Sequence, residues 1–95
     1  MIALIVHFNV KPGDEEKTKE LIRRMQENSR REAGCRMYVG HQSAEDSRRF
    51  CFYEQYENQD ALDAHRAAPY FGEYVTNGLA KLFIGRTQEL FTTVD

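Results

Sequence analysis

Between Glu54 and Tyr74 the chain reads E-Q-Y-E-N-Q-D-A-L-D-A-H-R-A-A-P-Y-F-G-E-Y, which sets one imidazole, His65, among the aromatics Tyr56, Tyr70, Phe71 and Tyr74. An aromatic hollow with a single histidine suits a flat, weakly acidic organic substrate. Ring stacking supplies binding, and an imidazole accepts a phenolic or enolic proton near neutral pH. The same residues also fit a plainer arrangement, in which His65 hydrogen-bonds a backbone carbonyl and the aromatics are core.

Other chemistries find less support. His7 and His41 fall in strand-like segments without a partner at metal-ligand spacing, so no metal site is expected. Neither G-x-G-x-x-G nor G-x-x-x-x-G-K-[ST] occurs, and Ser43 and Ser47 lie in a polar loop without a nucleophile elbow. The two cysteines, Cys35 and Cys51, lack C-x-x-C spacing, and Cys51, inside an apolar run, reads as a small buried hydrophobe. Thirteen basic residues are interleaved with fifteen acidic ones, so no concentrated basic field argues for nucleic acid. The apolar opening, Met1 to Val10, is far shorter than the roughly 20 residues a membrane span needs. No secretory leader is visible. A cytoplasmic location with reduced thiols and no membrane partner is the expectation.

The elements that must position His65 follow from periodicity. Ile2–Val10 is a nearly unbroken apolar run, read as a strand buried on both faces. Lys11-Pro12-Gly13-Asp14 breaks the chain, and Asp14 is expected to cap a helix whose stripe is Thr18, Leu21, Ile22 and Met25. Arg30 and Arg31 suit the negative end of that helix, with Gly34 at a position common for a left-handed stop. The charge run Glu27–Glu32 reads as a solvated helix end rather than a binding patch. Cys35–Gln42 and Arg48–Glu57 read as two strands of an antiparallel hairpin across a polar loop, with Phe50, Phe52, Glu54 and Tyr56 on one face of the second. Asn58 caps a short helix that Pro69 ends, and Pro69 starts another carrying Phe71, Tyr74, Val75, Leu79 and Leu82. Gly72 and Gly78 in that helix imply close packing or local give. Ile84–Val94 is the last strand.

The order is β-α-β-β-α-β with the second crossover split in two, within one domain spanning residues 1–95. Its standard folding is α+β and ferredoxin-like, a four-stranded antiparallel sheet with helices on one face. Helices cover only that face. A second copy packed on the other would bury the remaining apolar positions, so a homodimer is expected.

The segment R-F-C-F-Y-E-Q-Y-E-N-Q-D-A-L-D-A-H-R-A-A-P-Y-F-G-E-Y, with E-A-G-C-R-M-Y upstream and V-K-P-G-D near the start, resembles the antibiotic biosynthesis monooxygenase domain. The specific part is A-x-x-A-H-x-x-x-P-x-F after a strand ending E-x-Y-E. The resemblance covers nearly the whole chain and implies a dimeric α+β barrel. It also implies a range of activities: oxygenation of quinols or polyketide phenols without metal or organic cofactor, haem degradation, or processing of a phosphorylated signal. His65 matches the histidine that quinol-oxidising and signal-processing members share. Tyr74 stands where haem-degrading relatives place their axial histidine. Those relatives also carry a tryptophan where His65 stands and an asparagine near Val6, so this chain departs from them at three positions. Tyr56 replaces a tryptophan common at the end of the third strand.

The resulting expectation is a cofactor-independent monooxygenase of a quinol-like or polyphenolic aromatic, with His65 as base and Tyr56, Tyr70, Phe71 and Tyr74 holding the ring. One alternative is an isomerase of a small phosphorylated hydroxyketone, with Arg36 or Arg66 clamping the phosphate. Another is a non-catalytic, ligand-binding or stress-response dimer.

Overall fold

The computed structural model describes all 95 residues, Met1–Asp95. The elements are β1 (Ile2–Asn9), α1 (Glu15–Ser29), β2 (Cys35–Gln42), β3 (Arg49–Tyr56) and α2 (Gln59–Ala67). Then α3 (Pro69–Phe71) runs without a break into a π-helical stretch, Gly72–Leu79, and on into α4 (Ala80–Leu82), before β4 (Ile84–Thr92). The strands form one antiparallel sheet in the order β2-β3-β1-β4, the ferredoxin-like arrangement expected.

Strand alternation sorts the side chains. Leu4 lies opposite Glu54 and Leu90, Val6 opposite Phe52 and Gln88, and Phe8 opposite Phe50 and Arg86. Side chains at these positions share the face that the helices cover. Phe8 stacks on Phe50 at 5.7 Å and meets Phe83 at 4.4 Å, and Ile22, Met25, Leu62 and Leu79 close the core from above. The expectation that β1 is buried on both faces holds for only one of them in the single chain. Ile5 is half-buried and His7 exposed, because no element covers their side of the sheet. Cys51 is half-buried there too, not enclosed as expected.

Several local signals worked differently from the expectation. Asp14 precedes α1, but its side chain makes no cap bond and its Oδ2 is buried without a partner. The preceding turn is instead closed by Gly13, at φ 100°, whose N–H donates to Glu15 at 2.6 Å. Gly34 is not a left-handed stop, since α1 ends at Ser29 and Gly34 has no positive φ. Its smallness serves packing: a Cβ there would come within 2.5 Å of the Ala61 Cβ, so Gly34 lets α2 lie close to the start of β2. The signals around α2 behave as read. Asn58 accepts from the Ala61 N–H at 2.9 Å, and Ala68, ahead of Pro69, turns extended at ψ 139°. At the start of β4, Gly85 sits at φ 74° where the register with β1 slips between Phe8 and Asn9. This bulge sets Arg86 opposite Phe8, on the helix side.

Candidate functional site

A hollow of about 60 Å³ lies between the covered face of the sheet and the helical segments that follow β3. Leu4, Val6, Phe52, Phe71, Val75, Leu79 and Phe83 make its apolar walls. The polar groups at its edge are Tyr38, Glu54, His65, Arg66, Arg86 and Gln88.

His65 is 2% exposed and sits on the inner side of α2 with Leu62, one turn earlier, fully buried beside it. Aromatic rings surround the imidazole: Tyr56 at 5.2 Å, Tyr38 at 5.6 Å and Phe71 edge-on at 5.3 Å. Its Nδ1 lies 3.1 Å from Glu32 Oε2, and the Tyr70 hydroxyl donates to that same oxygen. A carboxylate accepts only, so Nδ1 carries the proton and Nε2 is left with a free lone pair. Nε2 in turn lies 4.0 Å from Glu54 Oε1, beyond hydrogen-bond reach, and that oxygen accepts instead from the Tyr56 hydroxyl at 2.6 Å.

Burial governs the protonation of these groups. It holds His65 down to about 4, with the charge of Arg66 adding to the effect, so the imidazole is neutral at physiological pH. Burial raises Glu54 to about 7, against the opposing pull of the Tyr56 hydrogen bond and Arg66, so this carboxyl is part-protonated near neutrality. Glu32 is raised as well, again by burial. The Tyr56 and Tyr38 hydroxyls are pushed well up by burial and then by the Glu54 charge, and remain protonated donors. The cluster therefore holds a neutral base beside an acid that keeps its proton to an unusually high pH.

Of the residues singled out in the sequence, His65 and Phe71 line the hollow. Tyr70 stands behind His65, bonded to Glu32, with its hydroxyl 3.4 Å from Ser29 Oγ. Tyr56 is wholly buried below Glu54, and Tyr74 is half-buried against the core without lining the hollow. Arg66 reaches the hollow, whereas Arg36 pairs with Glu57 away from it. His7 and His41 lie on the uncovered side of the sheet, and no group of three His, Cys, Asp or Glu side chains is placed to share an ion.

Glu32, Glu54, Tyr38 and Arg86 were missed. Glu32 corrects the reading of Glu27–Glu32 as purely solvated, because the chain turns after Ser29 and carries this carboxylate under α2. Glu54 had a usable signal: it is the one charged position on the Phe50, Phe52, Tyr56 face of β3, and a lone carboxyl on an apolar face seldom lacks a purpose.

The family model for antibiotic biosynthesis monooxygenase matches residues 1–77, and the chain belongs to that family. Among curated proteins it is 35% identical over 74 residues to the Synechocystis protein sll1783, whose function is uncharacterised, covering 78% of this chain and half of that one. It is 33% identical over 73 residues to Rv0793 of Mycobacterium tuberculosis, which carries a provisional monooxygenase name, covering 77% of this chain and 71% of that protein. Among solved structures, a protein from Nitrosomonas europaea provisionally titled an antibiotic biosynthesis monooxygenase superposes with a TM-score of 0.93 at 28% identity, over the full length of both chains. The structure of Rv0793 superposes with a TM-score of 0.89 at 26% identity, over 99% of this chain and 95% of that one.

Proposed function

We propose that the protein oxidises a small quinol-like or polyphenolic aromatic with molecular oxygen, using His65 as the base and no organic cofactor or metal. The observation that carries this reading is the neutral imidazole fixed at Nδ1 by Glu32, in a residue that lines a mainly apolar hollow and whose Nε2 makes no hydrogen bond. Membership of the monooxygenase family supports it.

In the mechanism, Nε2 takes the hydroxyl proton of a phenol, and the resulting anion passes one electron to oxygen. The phenoxyl radical and superoxide then join at a ring carbon ortho to that oxygen, and the peroxide takes up one proton. Glu54, part-protonated near neutrality because of its burial, is the donor for that proton, and His65 returns the one it took. Loss of the hydrogen on that ortho carbon as a proton to Glu54, with cleavage of the O–O bond, leaves a quinone and one water. The substrate supplies every electron. Glu32 and Tyr70 hold the imidazole, and Phe71 with the aliphatic walls holds the ring.

Oxygen uptake by the purified, metal-stripped protein against a panel of reduced quinols and polyphenols, corrected for autoxidation, tests the reading. Saturable uptake is expected, reduced about 10²- to 10⁴-fold in His65→Ala. Uptake unchanged in that variant sinks the assignment. A second reading, isomerisation of a phosphorylated hydroxyketone by the same histidine, draws on the position of Arg66 at the hollow and consumes no oxygen.

The reading includes a homodimer joined across the uncovered sheet face. Half-buried Ile5, Val39 and Tyr53 stand there, with Met37 and Phe91 at 42% and 41% exposure. Sedimentation at micromolar concentration is expected to give the mass of two chains, and a single-chain mass rejects the dimer.

A further inference from the structure

The hollow is electrically sorted from floor to mouth. Its inner end holds one carboxyl group, Glu54, 4.0 Å from His65 Nε2, and Glu32 stands behind the imidazole, 3.1 Å from Nδ1. Its mouth holds two exposed guanidinium groups, Arg66 from α2 and Arg86 from β4, and neither is paired with a carboxylate. Most other arginines of the chain are engaged: Arg23, Arg24, Arg36 and Arg48 in ion pairs, and Arg30 with the Tyr38 carbonyl.

The two mouth arginines reach the hollow from separate elements. Arg66 follows His65 directly in α2, and its charge is felt at both His65 and Glu54. Arg86 is set on the helix side of β4 by the Gly85 bulge, and its Nη1 donates to Gln88 Oε1 at 2.8 Å. That bond orients the guanidinium and leaves other N–H donors free.

An anion is disfavoured at the inner end, where the walls are apolar and the same burial that raises Glu54 penalises any negative charge. At the mouth it meets two forked donors suited to planar carboxylate or tetrahedral phosphate oxygens. A ligand that satisfies both ends has a neutral, weakly acidic hydroxyl pointing inward and an anionic group pointing outward. We propose that Arg66 and Arg86 form an anion subsite at the mouth of the hollow, and that the substrate is an aromatic hydroxy compound bearing a carboxylate or phosphate on the side away from its reacting hydroxyl. The proposal rests on the hollow being the substrate site, as in the preceding reading, but it does not depend on oxygen being consumed.

Calorimetric titration of the whole chain with three single-ring probes tests it: 4-hydroxybenzoate, phenyl phosphate and the neutral 4-methylphenol. At least one anionic probe is expected to bind about tenfold or more tightly than 4-methylphenol, because a charge-assisted hydrogen bond supports a discrimination of that order. The larger preference identifies the source of the anion as carboxylate or phosphate ester. Arg66→Gln and Arg86→Gln should each remove most of the preference while leaving 4-methylphenol binding within about twofold. Arg23→Gln, on the outer surface of α1, should leave the preference intact. Equal binding of the three probes overturns the proposal, and so does a preference that survives both variants or falls equally in Arg23→Gln. If the preference holds but no quinol carboxylate drives oxygen uptake, the anion subsite stands and the monooxygenase reading fails.

Discussion

The helix α1 and the run from Pro69 to Leu82 are of similar length, yet they serve the fold in opposite ways. The first is regular over Glu15–Ser29, buries Thr18, Ile22, Met25 and Ser29 along one stripe, and laces its outer surface with the pairs Lys19–Glu16, Arg23–Glu20, Arg24–Glu20 and Arg24–Glu27. The second is a short α-helix, a π-helical stretch and another short α-helix, with no ion pair and Leu79 as its one fully buried side chain. Its other large apolar residues are half-buried, and of these Phe71 and Val75 face the hollow. α1 is scaffold, and the second run is wall. π turns occur disproportionately at functional sites, and here the irregular helix is the one that shapes the cavity.

Substitution in the scaffold should therefore register as lost stability. Met25 has no exposed surface, so Met25→Ala is expected to cost about 2–5 kcal/mol, read from the urea midpoint. A cost below about 1 kcal/mol would mean that α1 is not the packed partner described.

The pH dependence of stability should come from the hollow side, since the pairs on α1 are exposed and worth little. Glu54 has a folded value of about 7 against an ordinary 4.5. The folded chain thus binds this proton more tightly, and its contribution to stability falls as pH rises from about 4.5 to about 7. His65, at about 4 against an ordinary 6.5, acts in the reverse sense, and stability rises as pH climbs from about 4 to about 6.5. Each effect is on the order of 3 kcal/mol and they oppose one another, with Glu32, also raised by burial, acting in the same sense as Glu54. The unaltered chain should be only mildly pH-sensitive between about 4.5 and 6.5. Glu54→Gln should gain stability with rising pH across that interval and His65→Gln should lose it. Parallel slopes in urea titrations of the two variants would contradict the assignment.

The smallest effect is expected in the wall. A Cβ at Gly72 meets nothing within 4 Å and the backbone there is helical at φ −59°, so Gly72→Ala should stabilise by about 0.4–1 kcal/mol in thermal unfolding. A loss of stability there would show that the π-helical stretch needs the freedom of glycine.

The element order, the sheet and the place of His65 were legible because they rest on patterns local in sequence. The alternation in β3, the Asn58 cap and the break at Pro69 each act within a few residues. What escaped were contacts between segments distant in the chain. Glu32 precedes His65 by 33 positions and reads as surface among Arg30, Arg31 and Glu27 until the turn after α1 brings it beneath α2. Arg86 required knowledge of the Gly85 bulge, which decides the face of β4 on which it stands. Asp14 failed as a cap for a different reason: its type and position suit capping, but its side chain makes no bond to the first-turn N–H groups. The π-helical form of Gly72–Leu79 had no signal beyond its two glycines.

That stretch makes chain length a determinant of cavity shape. A π turn accommodates a residue more than an α turn does, so it behaves as a built-in insertion. Deleting one residue between Gly72 and Gly78 would let the run relax to a continuous α-helix, with the turns on either side keeping nearly their present phase and only the widened turn between them lost. The wall at Val75, inside the stretch, would then change, while Phe71 and Phe83 on either side kept their places. A homologue shorter by one residue in this run would present its substrate with a differently composed hollow, even with every residue of the His65 cluster unchanged.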